Sequence, residues 1–591
     1  MAVPLLSAPT YAVESTAPEH LYALVDIGSN GIRFSVTSLH PLTSRVLPTL
    51  FTDRAGISLY DAQFQYSTAA PVRNPIPDAT IAQITTALQR FSTVCASFKV
   101  PEDHIRVVAT EATRTAPNSA EFRAAVTKAV GWEVELLSKE DEGRVGALGI
   151  ASSFASVEGL VMDLGGGSTQ LSWMISRQGH MKAAESAVSL PFGAAALMKK
   201  ITTSINAAAV DSVGAGIQQD LSNAVKSLNL PAELEEIAKK RGGYTLYLSG
   251  GGFRGFGYLL LGAHDLKPYP IPIINGFSAS REHFAHLADS VGTELTPEQQ
   301  EGLASQFRIS GRRASQVPAV AFLVRQLLKS LPAIREVVFC QGGVREGCLF
   351  QKLDVPTRGT NPLVAATGIY APPGAAKIVR LIGDGLPKST PEVFWLEIVP
   401  ALANLLNFHS GVAREGRAAA GLHFTTTGLL GGTHGLTHQE RALLGLCLCA
   451  RWGGEVAEAA GGFRTRLEQV VGGELAWWAR YVGAVAQAVG AVFPAGIVVD
   501  ESAAATEHGE HDKRRLTRLS EVDSKLSFFA RDQDRKSHLD IVLRVRVTKD
   551  DPDTSALMVH KTIEDIAKVG KKKMCEGLGY RRKIAVIWET D

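Results

Sequence analysis

Two stretches of the chain share one hydrophobic pattern. Leu24-Val-Asp-Ile-Gly-Ser-Asn30 is an apolar run that turns on Gly28 and continues with Ile32, Phe34 and Val36 in strict alternation. Val161-Met-Asp-Leu-Gly-Gly-Gly-Ser-Thr169 does the same and continues with Leu171, Trp173 and Ile175. An apolar run, a glycine turn and a period-two run predict a β-hairpin. After the first hairpin the pattern predicts a helix over Ile81–Phe98, a buried strand over Ile105–Ala109, a helix over Ser119–Val130 and a strand over Glu133–Leu137. A further helix starts after Ser138, with Asp141 three residues on as in a capping box. Thr245–Gly252 and Val337–Gly343 read as strands running into glycines and then helices, the arrangement that puts ligands at the carboxyl edge of a sheet.

Beyond about Pro372 the texture becomes helical, rich in Ala and Leu (Val399–Leu406, Arg441–Arg451, Trp477–Val492). Asp500–Lys536 is charged and poor in apolar residues, which predicts a linker. A strand (Leu539–Val547), a helix (Ser555–Lys568) and a strand (Ile584–Trp588) follow. The expected architecture is α/β: a flexible lead (1–20), lobe I (21–143), lobe II (144–371), a helical region (372–499), the linker (500–536) and a small α/β tail (537–591).

Composition narrows the function classes. With 591 residues, 45% hydrophobic and 20% charged, the chain has ample material for several cores. A net charge of +2 argues against a broad nucleic-acid surface. Met1–His20 lacks both the basic-then-apolar pattern of a secretory signal and any arginine of a transit peptide. Tyr481–Val499 approaches membrane length, but its Ala, Gly, Gln487 and Pro494 predict a buried helix instead. Six scattered cysteines read as reduced thiols, so the expected location is the cytoplasm. His434 and His438, four apart, would share a helix face but lack acidic partners, and read as core or surface histidines.

The hairpin tips carry the candidate chemistry. Glycines let backbone amides approach a phosphate, Ser and Asn add donors, and Asp can hold a hydrated metal. Asp26, Gly28, Ser29, Asn30 and Arg33 form the first tip; Asp163, Gly165, Gly166, Gly167, Ser168 and Thr169 form the second. Arg114, after the strand ending at Ala109, could grip a phosphate bidentately. Glu142, in the first turn of a helix whose dipole favours its ionised form, could orient an attacking water as general base.

In order along the chain, these segments resemble the exopolyphosphatase/guanosine-pentaphosphate phosphohydrolase (Ppx/GppA) family of the actin-like ATPase superfamily. The matching residues are Asp26–Asn30 with Arg33, Ala109–Thr110 with Arg114 and Asn118, Glu142 with Arg144, Asp163–Thr169, Ser249–Gly251 and Gly343–Gly347. The resemblance implies a two-lobed actin-like fold. By it, Glu142 is the base, assisted by Arg114. Asp26 and Asp163 take the Mg²⁺ position, and the two tips with Gly250 and Gly251 hold phosphates of ATP, another nucleotide or polyphosphate. The likeness continues through Ser189-Leu-Pro-Phe-Gly193 and Arg451-Trp-Gly-Gly454 toward a regulatory branch of the family. That branch implies protein partners in signalling to transcription; from charge and hydropathy no membrane or direct nucleic-acid contact is expected, and a homodimer is one option. Gln170 stands where the phosphatases have Glu, Gly31 replaces a Ser, and Gly143 replaces an Ala. An amide can neither act as a base nor offer a carboxylate to Mg²⁺. On these residues phosphate binding is better supported than turnover, with an active hydrolase as the alternative.

Overall fold

Leu21–Gly28 (β1) and Gly31–Ser38 (β2) pair antiparallel, with Asp26 opposite Arg33 and Gly28 opposite Gly31 at the tip. Thr49–Ala55 (β3) extends the hairpin antiparallel, and Ile105–Ala109 (β4) and Val134–Leu136 (β5) add to it in parallel, giving the order β3-β2-β1-β4-β5. The second sheet repeats this plan. Val157–Leu164 (β6), Thr169–Arg177 (β7) and His180–Ala183 (β8) form the antiparallel part, and Val188–Leu190 (β9) also pairs with β7. Tyr244–Ser249 (β10) and Ile334–Phe339 (β12) add in parallel, with Ser278–Ser280 (β11) at the edge. The computed structural model describes residues 14–64, 73–204, 206–496, 526–533, 540–547, 555–575 and 577–589.

Period-two burial explains how the lobes join. Leu21, Ala23, Val25 and Ile27 of β1 face the core of lobe I, while Leu24 faces a second core. Leu160, Met162 and Leu164 of β6 likewise face the core of lobe II, and Val157 and Val161 face that second core. Both sheets are covered on two faces at their centres, so β1 and β6 are apolar along most of their length. The shared core is built around the helices Lys139–Ser152 and Val344–Phe350. These helices cross at glycines: a Cβ on Gly149 would lie 2.2 Å from the Gly343 carbonyl oxygen, and one on Gly347 would lie 1.9 Å from that of Val145.

The third part is helical. Its core includes Trp477, Trp478 and Tyr481 of the helix Gly473–Val492, which packs beside His438–Arg451. The near-membrane-length stretch therefore begins inside a buried helix, and among the described residues no helix is long and apolar enough to cross a membrane. Leu526–Asp532 (β13), Ile541–Val547 (β14) and Ile584–Trp588 (β15) form a small sheet beside the helix Ser555–Val569.

Several sequence expectations are corrected here. Part of the lead is packed, since the Ser38 hydroxyl donates to the Ser15 carbonyl at 2.7 Å; residues 1–13 lie outside the described residues. The 143/144 lobe boundary falls inside one continuous helix, Lys139–Ser152. The charged linker ends early, because β13 buries Leu526 and Phe528 against the helical region; residues 497–525 and 534–539 lie outside the described residues. The α/β tail is not a separate unit, for Leu543, Ile563 and Trp477 belong to one core. His434 precedes the helix that starts at His438, so the two imidazoles share no helix face.

Candidate functional site

The two hairpin tips meet. A Cβ on Gly166 would lie 2.5 Å from the Asn30 side-chain amide, and one on Gly167 would lie 2.4 Å from Glu111 and 3.5 Å from the Ser29 hydroxyl. The glycines of the second tip therefore let lobe I approach it. The tip is held from behind: the amides of Gly193, Ala194 and Ala195 donate to the carbonyls of Gly167, Gly165 and Gly166 at 3.0, 2.9 and 3.0 Å. In a trans peptide the following N–H points opposite to the carbonyl. With these carbonyls turned to the helix Ala194–Thr202, the amides of Gly166, Gly167 and Ser168 are turned away from it, as an anion site requires.

Asp26 and Asp163 lie near the carboxyl ends of the two strands that carry the tips. Burial raises the pKa of both carboxyls; Arg33 and then Arg345 pull Asp26 back down, and a hydrogen bond with Ser249, then Arg33 and Arg254, do so at Asp163. The nearest ion pair to Asp26 is loose, with Arg33 Nη1 at 3.9 Å. A buried and a half-buried carboxylate, neither in a close ion pair among the described residues, fit a hard cation. Among the described residues no group of three or more His, Cys, Asp or Glu could hold a metal, so the donor set suits a largely hydrated ion rather than a protein cage.

Glu142 lies in a ring of polar contacts. Arg114 Nη1 and Nη2 both donate to its Oε2 at 3.2 Å, and Gln170 Nε2 faces Oε1 at 3.4 Å while donating to the Ser168 hydroxyl at 2.8 Å. The expectation that the helix dipole keeps Glu142 ionised is corrected: burial pushes its pKa to about 7, against the pull of Arg114 and with help from Asp163 and Asp26. A cavity of about 30 Å³ lined by Glu142, Asp163 and Gln170 could house a water beside the carboxylate.

The burial of Glu142 has a consequence for stability. Its folded pKa of about 7 exceeds the ordinary 4.5, so between these values the native chain binds more protons than the unfolded chain, and stability falls as pH rises. The Glu142→Gln variant, a mimic of the neutral acid, is expected to match the parent near pH 4.5. At pH 8 it should exceed the parent by up to about 3 kcal/mol, read by urea unfolding at both pH values.

The remaining predicted residues divide. Gly251 reaches the cleft, with its Cβ direction 3.8 Å from Arg33 Nη2, whereas Gly250 backs onto the Leu164 carbonyl. Asn30 is engaged by Arg312, which donates to its Oδ1 at 2.8 Å, and Ser29 Oγ donates to Glu111 at 3.5 Å. The Thr169 hydroxyl donates to the Phe192 carbonyl at 2.6 Å and so serves the packing of the tip. Arg33, Arg254, Arg312, Arg313 and Arg345 gather at the mouth, where burial and mutual repulsion lower the pKa of Arg254 to about 9. Sequence reasoning did not bring this cluster together, although Arg254 just after the Gly250–Gly252 turn and the Arg312–Arg313 pair at a helix start were local signals.

Residues 42–355 match the Ppx/GppA phosphatase family and residues 361–591 match the RTG2 C-terminal domain. The chain belongs to the Ppx/GppA phosphatase family, its two sheet-bearing lobes extended by a helical region and a small sheet. It is similar to retrograde regulation protein 2 of Saccharomyces cerevisiae, at 38% identity over 96% of each chain. Among solved structures it is similar to the Aquifex aeolicus Ppx/GppA family member (22% identity, TM-score 0.44, 56% of this chain and 97% of that one). An exopolyphosphatase from Cytophaga hutchinsonii is also similar (17% identity, TM-score 0.41, 57% of this chain and 99% of that one).

Proposed function

We propose that this chain is a signalling regulator that reports the binding of a nucleotide or polyphosphate between its lobes, in the manner suggested by the name of its yeast relative. The observation that carries this reading is the contact of the two glycine tips with Gln170, not a carboxylate, against Glu142. Amides of the second tip, Arg33 and Arg254 supply donors and charge for a phosphate chain. Asp26 and Asp163 would hold a hydrated Mg²⁺, which when bound would offset phosphate charge. A ligand touching both tips favours the closed arrangement by its contacts to each, and the helical region sharing the interface would present that state to a protein partner. The six buried, unpaired cysteines support a reducing, cytoplasmic setting.

A second reading rests on one observation: a carboxyl with a pKa of about 7 beside a water-sized cavity has the properties of a general base. The test is calorimetry and phosphate release on the full chain with Mg²⁺ and tripolyphosphate, ATP or guanosine tetraphosphate. Saturable binding without turnover, weakened at least about tenfold by Gly166→Val, supports the regulator. Turnover that rises with pH to about 7 and vanishes in Glu142→Gln supports the hydrolase. Neither binding nor turnover would defeat both.

A further inference from the structure

Beside the amino-terminal ends of β6 and β10, a cavity of about 670 Å³ opens at the seam with the helical region. Lobe II contributes Tyr247, Tyr269 and Glu336, and the helical region contributes Glu397 and Glu440. Phe154, edge-on to Tyr247 at 5.3 Å between centroids, completes an aromatic wall. Its size is that of a small-molecule site.

Glu440 is 4% exposed. Its Oε2 accepts from the Thr437 amide at 2.6 Å and the Thr437 hydroxyl at 2.7 Å, as the N3 residue of a capping box. Its Oε1 has no hydrogen-bond partner among the described residues. Arg45 and Arg441 lie near enough to lower its pKa, but their hydrogen bonds go to backbone carbonyls, Arg45 to Ser152, Phe154 and Thr360, and Arg441 to Thr425, Leu430 and Thr433, with Arg441 Nε left unpartnered among the described residues. Glu397 stands on a π-helical turn, Phe394–Ile398, a geometry frequent at functional sites. An unsatisfied buried carboxylate oxygen is costly, and a second carboxylate beside it adds repulsion.

We propose that this cavity binds an organic ammonium ion with an apolar stem, its charged head between Glu397 and Glu440 and its stem along Phe154, Tyr247 and Tyr269. Carboxylates with aromatic faces are a recognition chemistry for such cations. A metal ion suits the lining poorly: the cavity is far larger than an ion, and both nitrogens of His438 are engaged, by Tyr269 at 2.9 Å and the Ile273 carbonyl at 2.7 Å. Arg241, also in the lining, is tied to Glu158. Burial, with the Glu440 charge beside it, pushes Glu397 up to about 8, and burial also raises Glu440; a bound cation would relieve both. Because the walls come from two parts of the chain, occupancy would fasten the helical region to lobe II.

The test is calorimetric titration of the full chain with spermidine, with glutarate as an anionic control. One saturable site for spermidine and none for glutarate is expected, weakened at least about tenfold in Glu397→Gln and in Glu440→Gln. Glutamine at 440 can still complete the capping box, so this variant is expected to remain folded. Ser278→Trp, at the exposed cavity edge, gives an independent block and should also abolish binding. Absent or non-saturable binding, or binding that survives all three changes, would overturn the site. So would a cavity that takes only the lysine of a partner protein and no free amine.

Discussion

Gly347→Ala is expected to cost more than about 4 kcal/mol, enough to leave much of the chain unfolded at 37 °C. The added Cβ would lie 1.9 Å from the Val145 carbonyl oxygen and 2.9 Å from the Gly149 amide nitrogen. Both are backbone atoms, so no rotamer change can relieve the overlap. The helices Lys139–Ser152 and Val344–Phe350 would have to separate, breaking the core between the lobes. Gly146, on the facing helix Lys139–Ser152, offers the opposite case, since nothing lies within 4 Å of its Cβ direction. Gly146→Ala is expected to gain about 0.5–1 kcal/mol from helix propensity. Urea unfolding of the two variants beside the parent checks the pair. Equal effects would mean that the close crossing does not hold the lobes together.

Arg45→Ala is expected to cost about 4 kcal/mol. Arg45 is 2% exposed and comes from a short turn of lobe I. It donates to the Thr360 carbonyl at 3.0 Å, the Ser152 carbonyl at 3.2 Å and the Phe154 carbonyl at 2.6 Å. Burial lowers its pKa only to about 10, so it remains charged at neutral pH. Removing it strands three carbonyls at once. Arg45→Lys should recover less than half of the loss, because an ammonium lacks the planar fork that reaches all three. Urea midpoints and slopes for the three proteins measure this directly, and a loss below about 1 kcal/mol in the alanine variant would contradict it.

The hairpin tips were legible because alternation and glycine turns are local signals: Asp26 and Asp163 end runs whose periodicity is plain in the sequence. Ser138 was legible for the same reason, and its hydroxyl accepts from the Asp141 amide at 3.0 Å. The ionisation of Glu142 was not, because its burial comes from Asp163, Gln170 and other residues far along the chain. The arginine mouth was hidden likewise, for Arg33, Arg254 and Arg312 lie in three separate segments. β13 escaped notice because only Leu526, Phe528 and the small Ala530 face inward, while Arg531 and Asp532 at its end are charged and exposed. The helix Gly473–Val492 betrayed its burial by composition, yet nothing local showed that the tail would complete its core. Local periodicity reveals elements; which distant elements desolvate one another depends on the assembled fold.

The central claim is that the two tips serve one anion, and a crystal structure of the full chain grown with Mg²⁺ and tripolyphosphate tests it most directly. Phosphate density touching both Gly28–Asn30 and Gly165–Thr169, with the cation near Asp26 and Asp163, is the predicted result. Phosphate bound elsewhere, or against one tip alone, would contradict it.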